Sequence, residues 1–334
     1  MGGLAPWLQT QLEQLHDHRA HALLLSGASG MGQFELALAL ARLWLCEQPT
    51  PEGACGQCAS CRAADGHTHA DFAVLMPELV ALELGWPLSP AAQEAVDKKE
   101  RKPSKWIRVD AAREAIAFSQ LTTARSQTKV ILVYPAERMN TETANTLLKT
   151  LEEPPGDLRF VLATEAAHQL LPTIRSRCQV HQMVWPDEAA VQAWLRSVAP
   201  DGDDSDRRTW LLAAGGHPHG AQAWAEQGLT AAQWHGLPKA VAQGQAGCLS
   251  GWTPAQQNQA LLQIAHDALV QACGGTPRFF DPQDLPGARD VRAIEAWQQR
   301  LLERARVVEH PFNAGLLLEA WLADARSVFS ARRK

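Results

Sequence analysis

Residues 129–135, KVILVYP, form a near-continuous apolar run. A strand wetted on one face alternates polar and apolar residues. An unbroken run belongs instead in a parallel sheet covered on both faces. Similar short runs recur at HALLLSG (21–27), ADFAVLMP (70–77) and RFVLATE (159–165). Helical patterns lie between them. QFELALALARLWLC (33–46) is apolar on most sides, as a buried helix is. TETANTLLKTLEEPP (141–155) sets Ala144, Leu147, Leu148 and Leu151 on one helical face, and Pro154 and Pro155 stop it. WIRVDAAREAIAFSQLT (106–122) reads as a short strand, then a helix capped by Asp110. LLPTIRSRCQVHQM (170–183) reads as a short helix running into a last strand. Strands alternating with helices predict an α/β parallel sheet ending near Val184.

Beyond Trp185 the pattern is helical. DEAAVQAWLRSV (187–198), RRTWLLAAGG (207–216) and HPHGAQAWAEQG (217–228) predict helices, the second stopped by Gly215 and Gly216. Three amphipathic stretches follow from Thr253, at 254–275, 290–310 and 311–329. Trp297 and Trp321 fall among their apolar positions, so packing is their expected role. With 334 residues, the chain has room for three domains: 1–185, 186–247 and 248–334. The stretch 78–105, rich in proline and charge, breaks the rhythm and reads as a partly mobile surface insertion.

The first apolar run leads into SGASGMGQFELA (26–37). Strand, glycine loop and helix are the setting of a phosphate-binding loop, G-x-x-x-x-G-K-[ST]. Gly27 and Gly32 have the right spacing, but Gln33 stands where the lysine belongs and Phe34 where the magnesium-binding hydroxyl belongs. The partner strand should end in an acid that orients magnesium. KVILVYP ends in Tyr134 and Pro135, with no acid before Glu137. Three groups that handle nucleotide are missing, so hydrolysis is not expected. Taken alone, the loop slightly favours a plain glycine turn between strand and helix.

Four of the seven cysteines cluster: Cys46 ends the helix after the loop, and Cys55, Cys58 and Cys61 follow within CGQCASC. Four thiolates suit tetrahedral zinc, and a closed four-sulfur shell leaves no position for substrate, so the role is structural. Gly53 and Gly56 permit the turns this requires. Reduced, unliganded thiols are the alternative, and a thioredoxin-like redox pair lacks its βαβ setting. His67 and His69 become candidates only if Cys46 points elsewhere. The odd cysteine count fits a reducing, cytoplasmic setting. The N-terminal 25 residues lack the order of a secretory signal, so a mature start is expected. The net charge of −5 argues against a broad nucleic-acid-coating surface. No apolar run reaches about 18 residues, so no membrane span is expected.

TIRSRCQV (173–180) places Arg175 and Arg177 near a helix end. Cations there complement the helix dipole. An arginine can also be presented to a neighbour's phosphate. Spacing alone favours the first role.

NTLLKTLEEPP, RFVLATE and TIRSRCQ together resemble the clamp-loader branch of the AAA+ ATPases. Adding the broken loop, the missing acid, the cysteine insertion and the intact Ser176–Arg177–Cys178, the chain is similar to the delta-prime subunits of bacterial DNA polymerase III. The similarity is specific over about residues 20–185 and weak beyond. It implies an AAA+ domain with a zinc module at 46–61, a small helical lid at 186–247 and a helical collar at 248–334. It implies no functional ATP or magnesium site at Gly27, Gly32, Gln33 and Phe34, and zinc held by Cys46, Cys55, Cys58 and Cys61. Arg177, flanked by Ser176 and Cys178, would serve in trans as an arginine finger for a neighbouring gamma/tau ATPase. The implied partners are gamma/tau and delta in a hetero-oligomeric ring, and indirectly the sliding clamp and primer–template DNA. The assembly is part of a DNA-directed DNA polymerase in the cytoplasm, with no membrane role. Active relatives carry a lid arginine near the position of His219. An active ATPase with an atypical loop and a zinc-bearing adaptor are the competing expectations.

Overall fold

A computed structural model describes residues 4–287, 290–305 and 314–330. The chain divides into two compact units, Met1–Ala190 and Val191–Lys334. The tail of the helix expected at 290–310 and the start of that at 311–329 lie outside the described residues.

The first unit runs α1 (Pro6–Leu15), β1 (Ala22–Ser26), α2 (Gln33–Leu45), α3 (Ala59–Asp65), β2 (Phe72–Leu75), α4 (Glu78–Glu83), α5 (Pro90–Asp97) and α6 (Val109–Gln120). β3 (Lys129–Val133), α7 (Thr141–Glu152), β4 (Leu158–Thr164), α8 (Pro172–Arg175) and β5 (Gln179–Gln182) complete it. All strand pairs are parallel, in the order β2-β3-β4-β1-β5. The registers put Leu24 beside Leu162 and Ile131 beside Phe160. β1 and β3 are buried at every residue, as their unbroken apolar runs require. One face of the sheet packs a core that includes Leu147 and Leu151 of α7 and Ile174 of α8. Leu148 is only partly buried. α2 packs on β1, β3 and β4 and buries Leu36, Ala37, Leu40 and Ala41 completely.

Two local expectations need correction. No strand forms at Trp106–Val109; Ile107 makes a single bridge to Met139, and α6 begins immediately after. Asp110 does not cap α6. Arg108 holds the cap position, and Asp110 lies in the first turn, where its charge faces the positive helix end. The stretch 78–105 lies largely at the surface, as expected, and carries two short helices, α4 and α5, with Ser89 capping α5. Its two ends are tied at Glu78, which pairs with Arg101 and accepts the Ser104 N–H at 2.9 Å.

Lys129 opens β3 yet is buried, because its Nζ lies 3.3 Å from Asp71. Asp71 is fully buried and also accepts the N–H groups of Ala124, Arg125 and Ser126 at 2.8–2.9 Å. Burial pushes its carboxyl pKa up, but those donors and Lys129 outweigh burial and hold it below the usual range. A depressed folded-state pKa stabilises the fold above the unfolded value of about 3.9, and this contribution is lost as pH falls further. Asp71→Ala should cost about 3–5 kcal/mol at pH 7, since it strands a buried lysine and three amides. Urea unfolding measures this; a loss below about 1 kcal/mol would contradict it.

The second unit is helical. α9 (Glu188–Val198) leads into it, followed by α10 (Asp204–Ala213), α11 (Pro218–Glu226), α12 (Ala231–Ala242), α13 (Pro254–Ala272), α14 (Val291–Ala305) and α15 (Ala314–Ser330). Gly215 and Gly216 end α10 with positive φ, and their N–H groups bond back to Leu212 and Leu211. That closes the last turn as a Schellman motif does. No separate helix is predicted for the stretch that forms α12, which holds Pro238 within it. Its signal was the capping box Thr230/Gln233. Trp297 and Trp321 are fully buried, as predicted. Among the described residues, no helix is long and apolar enough to cross a membrane.

Candidate functional site

The glycine loop joins β1 to α2, with Gly30 and Gly32 at positive φ. A side chain at Gly27 would meet Met183 Cβ at 3.1 Å, Met31 Sδ at 3.2 Å and Gln33 Nε2 at 3.3 Å. Met31 and Gln33 are each only 2% exposed. Gln33 turns inward and donates its amide to the Ala28 carbonyl. At the expected lysine position, the loop therefore holds a neutral side chain bonded to the loop itself.

Phe34 and Tyr134 pack with ring centroids 5.1 Å apart, and Trp86 of the insertion meets Phe34 edge-on at 6.1 Å. These are the positions at the helix start and strand end where a hydroxyl and a carboxylate would hold magnesium. Two rings fill them. Burial, reinforced by Glu165, pushes the Tyr134 phenol far above its ordinary range, so it stays neutral. Glu137, the first acid after the strand, accepts Thr164 Oγ1 at 2.7 Å and the Glu165 N–H at 3.2 Å.

The four expected sulfurs come together within 4.8 Å of one another. Cys46 lies 3.9 Å from Cys58 and 3.6 Å from Cys61, and Cys55 lies 3.9 Å from Cys61. A tetrahedron with Zn–S arms of about 2.3 Å has edges of about 3.8 Å, so the donor set fits a tetrahedral metal. Gly53 and Gly56 supply the positive-φ turns. Backbone N–H groups of Cys55, Cys58 and Cys61 point at the sulfurs of Cys46, Cys55 and Cys58 at 3.2–3.4 Å. The N–H groups of Gln57 and Cys58 lower the Cys55 thiol to about 6. Burial pushes Cys46 and Cys61 up. Glu47 braces the site by accepting the Ser60 N–H and hydroxyl at 3.0 and 2.9 Å. The two histidines have other partners. His67 stacks on Trp86 at 3.9 Å, while His69 accepts the Asp71 N–H and meets Ser126 Oγ.

Ser176 caps α8 and donates to the Thr173 carbonyl at 3.2 Å. Cys178 packs against the core, and burial pushes its thiol up to about 12, so it is an anchor and not a nucleophile. Arg177 donates Nε to Glu152 Oε1 at 2.7 Å, Nη2 to the same oxygen and Nη1 to the Thr173 carbonyl at 2.8 Å. Arg175 is exposed. In the second unit His219 meets Trp194 edge-on at 5.4 Å.

Sequence reading missed two features. Glu152 was legible only as part of a helix end, because its partner stands 25 residues away. His235, Asp281 and Asp284 also converge in the second unit. There His235 Nδ1 pairs with Asp284 at 2.7 Å, and Lys239 lies 3.9 Å from the same carboxylate. The nearby lysine makes this an ion-pair knot.

Residues 5–185 match the sequence profile of the family described as DNA polymerase III, delta subunit. The chain is 37% identical over 231 residues to the DNA polymerase III subunit delta' of Pseudomonas aeruginosa, covering 69% of this chain and 63% of that protein. For the Escherichia coli K12 subunit delta' the identity is 34% over 215 residues, covering 63% and 58%. The match thus spans less than two thirds of either relative. A gamma/tau subunit from Mycobacterium tuberculosis is 30% identical over 292 residues, which is 86% of this chain and 44% of that one. A solved gamma-subunit-related protein of DNA polymerase III from Thermotoga maritima aligns with TM-score 0.50 at 18% identity, covering 96% of this chain and 99% of that one, a likeness of fold. The profile takes in more than half of the chain, including the parallel sheet, the glycine loop and the four-cysteine group, and on that match the chain belongs to the delta-prime family of DNA polymerase III subunits.

Proposed function

We propose that this chain is a non-hydrolysing subunit of a DNA polymerase III clamp loader, helping to place the sliding clamp on primed DNA. The observation that carries the non-hydrolysing part is the Phe34–Tyr134 contact. Metal-dependent phosphoryl transfer needs an oxygen ligand from the loop and an acid from the strand. Aromatic rings occupy both positions, and Gln33 adds no charge for a phosphate.

In this reading Arg177 is delivered in trans to the ATP site of a neighbouring gamma/tau subunit. Its guanidinium is planar and permanently charged, which suits charge developing on a transferring phosphoryl group. Ser176 shapes the turn that presents it, and Cys178 roots that turn in the core. Cys46, Cys55, Cys58 and Cys61 would hold a structural zinc, whose chemistry there is to fix the fold of the 46–61 loop. Residues 186–247 would form the lid and 248–334 the collar that joins gamma/tau and delta in a cytoplasmic ring. The chain itself would contact the clamp and DNA only through that ring.

Calorimetric titration of the isolated chain with magnesium–ATP tests the closed site. The expected result is no measurable binding. A micromolar dissociation constant, abolished by Gly32→Trp, would overturn it.

A further inference from the structure

Arg177 reaches the surface already held. Three of its five N–H donors are engaged at short range: Nε and one N–H of Nη2 by Glu152 Oε1, and one N–H of Nη1 by the Thr173 carbonyl. Ser176 Oγ makes a longer contact with Nη1 at 3.4 Å. We propose that Glu152 is a positioning residue for Arg177, fixing the plane of its guanidinium before a phosphate arrives. This rests on reading Arg177 as a group delivered to a neighbour's nucleotide.

The two backbones that carry the pair are fixed independently. Glu152 is the last residue of α7, whose Leu147 and Leu151 are fully buried. Arg177 follows α8, whose Ile174 is fully buried, and α7 packs on α8. The adjustable parts are the two side chains. An arginine has a long flexible stem, and its value in phosphate recognition depends on the orientation of a rigid fork. Glu152 grips the Nε side of that fork, and Thr173 grips Nη1. The outer N–H of Nη2 stays outside these bonds.

The pair lies at the surface, with the arginine side chain 29% and the glutamate 47% exposed. Exposed pairs of this kind add little to folding stability. Glu152 therefore sets geometry and does not trap the arginine. A carboxylate deeply buried with Arg177 would compete with the phosphate; a half-exposed one yields to it.

The test is a loader reconstituted with this chain, assayed for ATP turnover stimulated by clamp and primed DNA. Assembly of each variant is checked by gel filtration. Glu152→Ala should lower kcat about tenfold with KM for ATP unchanged, because orientation is lost and binding is not. Glu152→Gln keeps an oxygen acceptor for the same two N–H groups and should restore most of the lost turnover. The double variant Glu152→Ala/Arg177→Ala should be no slower than Arg177→Ala alone, since Glu152 acts only through Arg177. On the isolated chain, exchange of the Arg177 Nε proton should quicken in Glu152→Ala and stay slow in Glu152→Gln. If Arg177→Ala lowers turnover but Glu152→Ala does not, this inference falls and the reading of Arg177 survives. Additive losses in the double variant would also overturn it. If Arg177→Ala itself changes nothing in an assembled ring, the reading beneath the inference falls, and the inference with it.

Discussion

If the Cys46–Cys55–Cys58–Cys61 group holds zinc as proposed, removing the metal is expected to melt residues 46–61 and lower the stability of the first unit. Between Glu47 and Ala59 only Gly53 is buried, so no apolar core holds this loop. What gathers it is four sulfurs brought within 4.8 Å, with Gln9 Nε2 donating to the Glu52 carbonyl at 2.7 Å and Glu47 accepting from Ser60. A structural zinc contributes about 10–16 kcal/mol of apparent binding free energy in small zinc-dependent folds. Here the parallel sheet folds around its own core, so only part of that appears as stability. With free zinc at a thousand times the dissociation constant, the linkage is about 4 kcal/mol. The loss should extend beyond the loop. The module is tied to α2 by Arg42–Asp65 at 2.8 Å, and His67 stacks on Trp86, which in turn meets Phe34. Metal analysis of protein purified without chelator should find one equivalent, and X-ray absorption should show four sulfur ligands. Chelator should then lower the melting temperature, and Cys61→Ser should do the same without chelator. A protein free of metal that melts no lower on chelation would contradict this account.

The parallel sheet was legible because buried strands are written as unbroken apolar runs. KVILV and ALLLS are buried at every position. The convergence of the four cysteines was legible because they lie close in sequence with glycines between them. Helix α12 was not, although the capping box Thr230/Gln233 marks its start. The insertion's own helices escaped as well. Its ends are joined by the Glu78–Arg101 pair, which links residues 23 apart and leaves no periodic trace. The absence of a lysine at Gln33 could be read directly. The ring cluster beside the loop could not, because Phe34, Tyr134 and Trp86 meet only in the folded chain. The same holds for Arg177: its type and turn were visible, its hold by Glu152 was not.

In the proposed function, an ATPase fold without a working site of its own acts through a residue it offers to a neighbour. Where arginine fingers have been measured, they are worth about 10³–10⁵ in rate. Replacing Arg177 by Ala removes a guanidinium from the surface and leaves the core contacts of Ile174 and Cys178 in place. Folding and assembly should survive, since its pair with Glu152 is partly exposed. The direct measurement is the clamp- and primed-DNA-stimulated ATP turnover of a loader reconstituted with this chain, wild type against Arg177→Ala, in rings of equal assembly by gel filtration. The account predicts a fall of at least about tenfold. Unchanged turnover in an intact ring would contradict it, leaving Arg177 a helix-end cation and this subunit a scaffold alone.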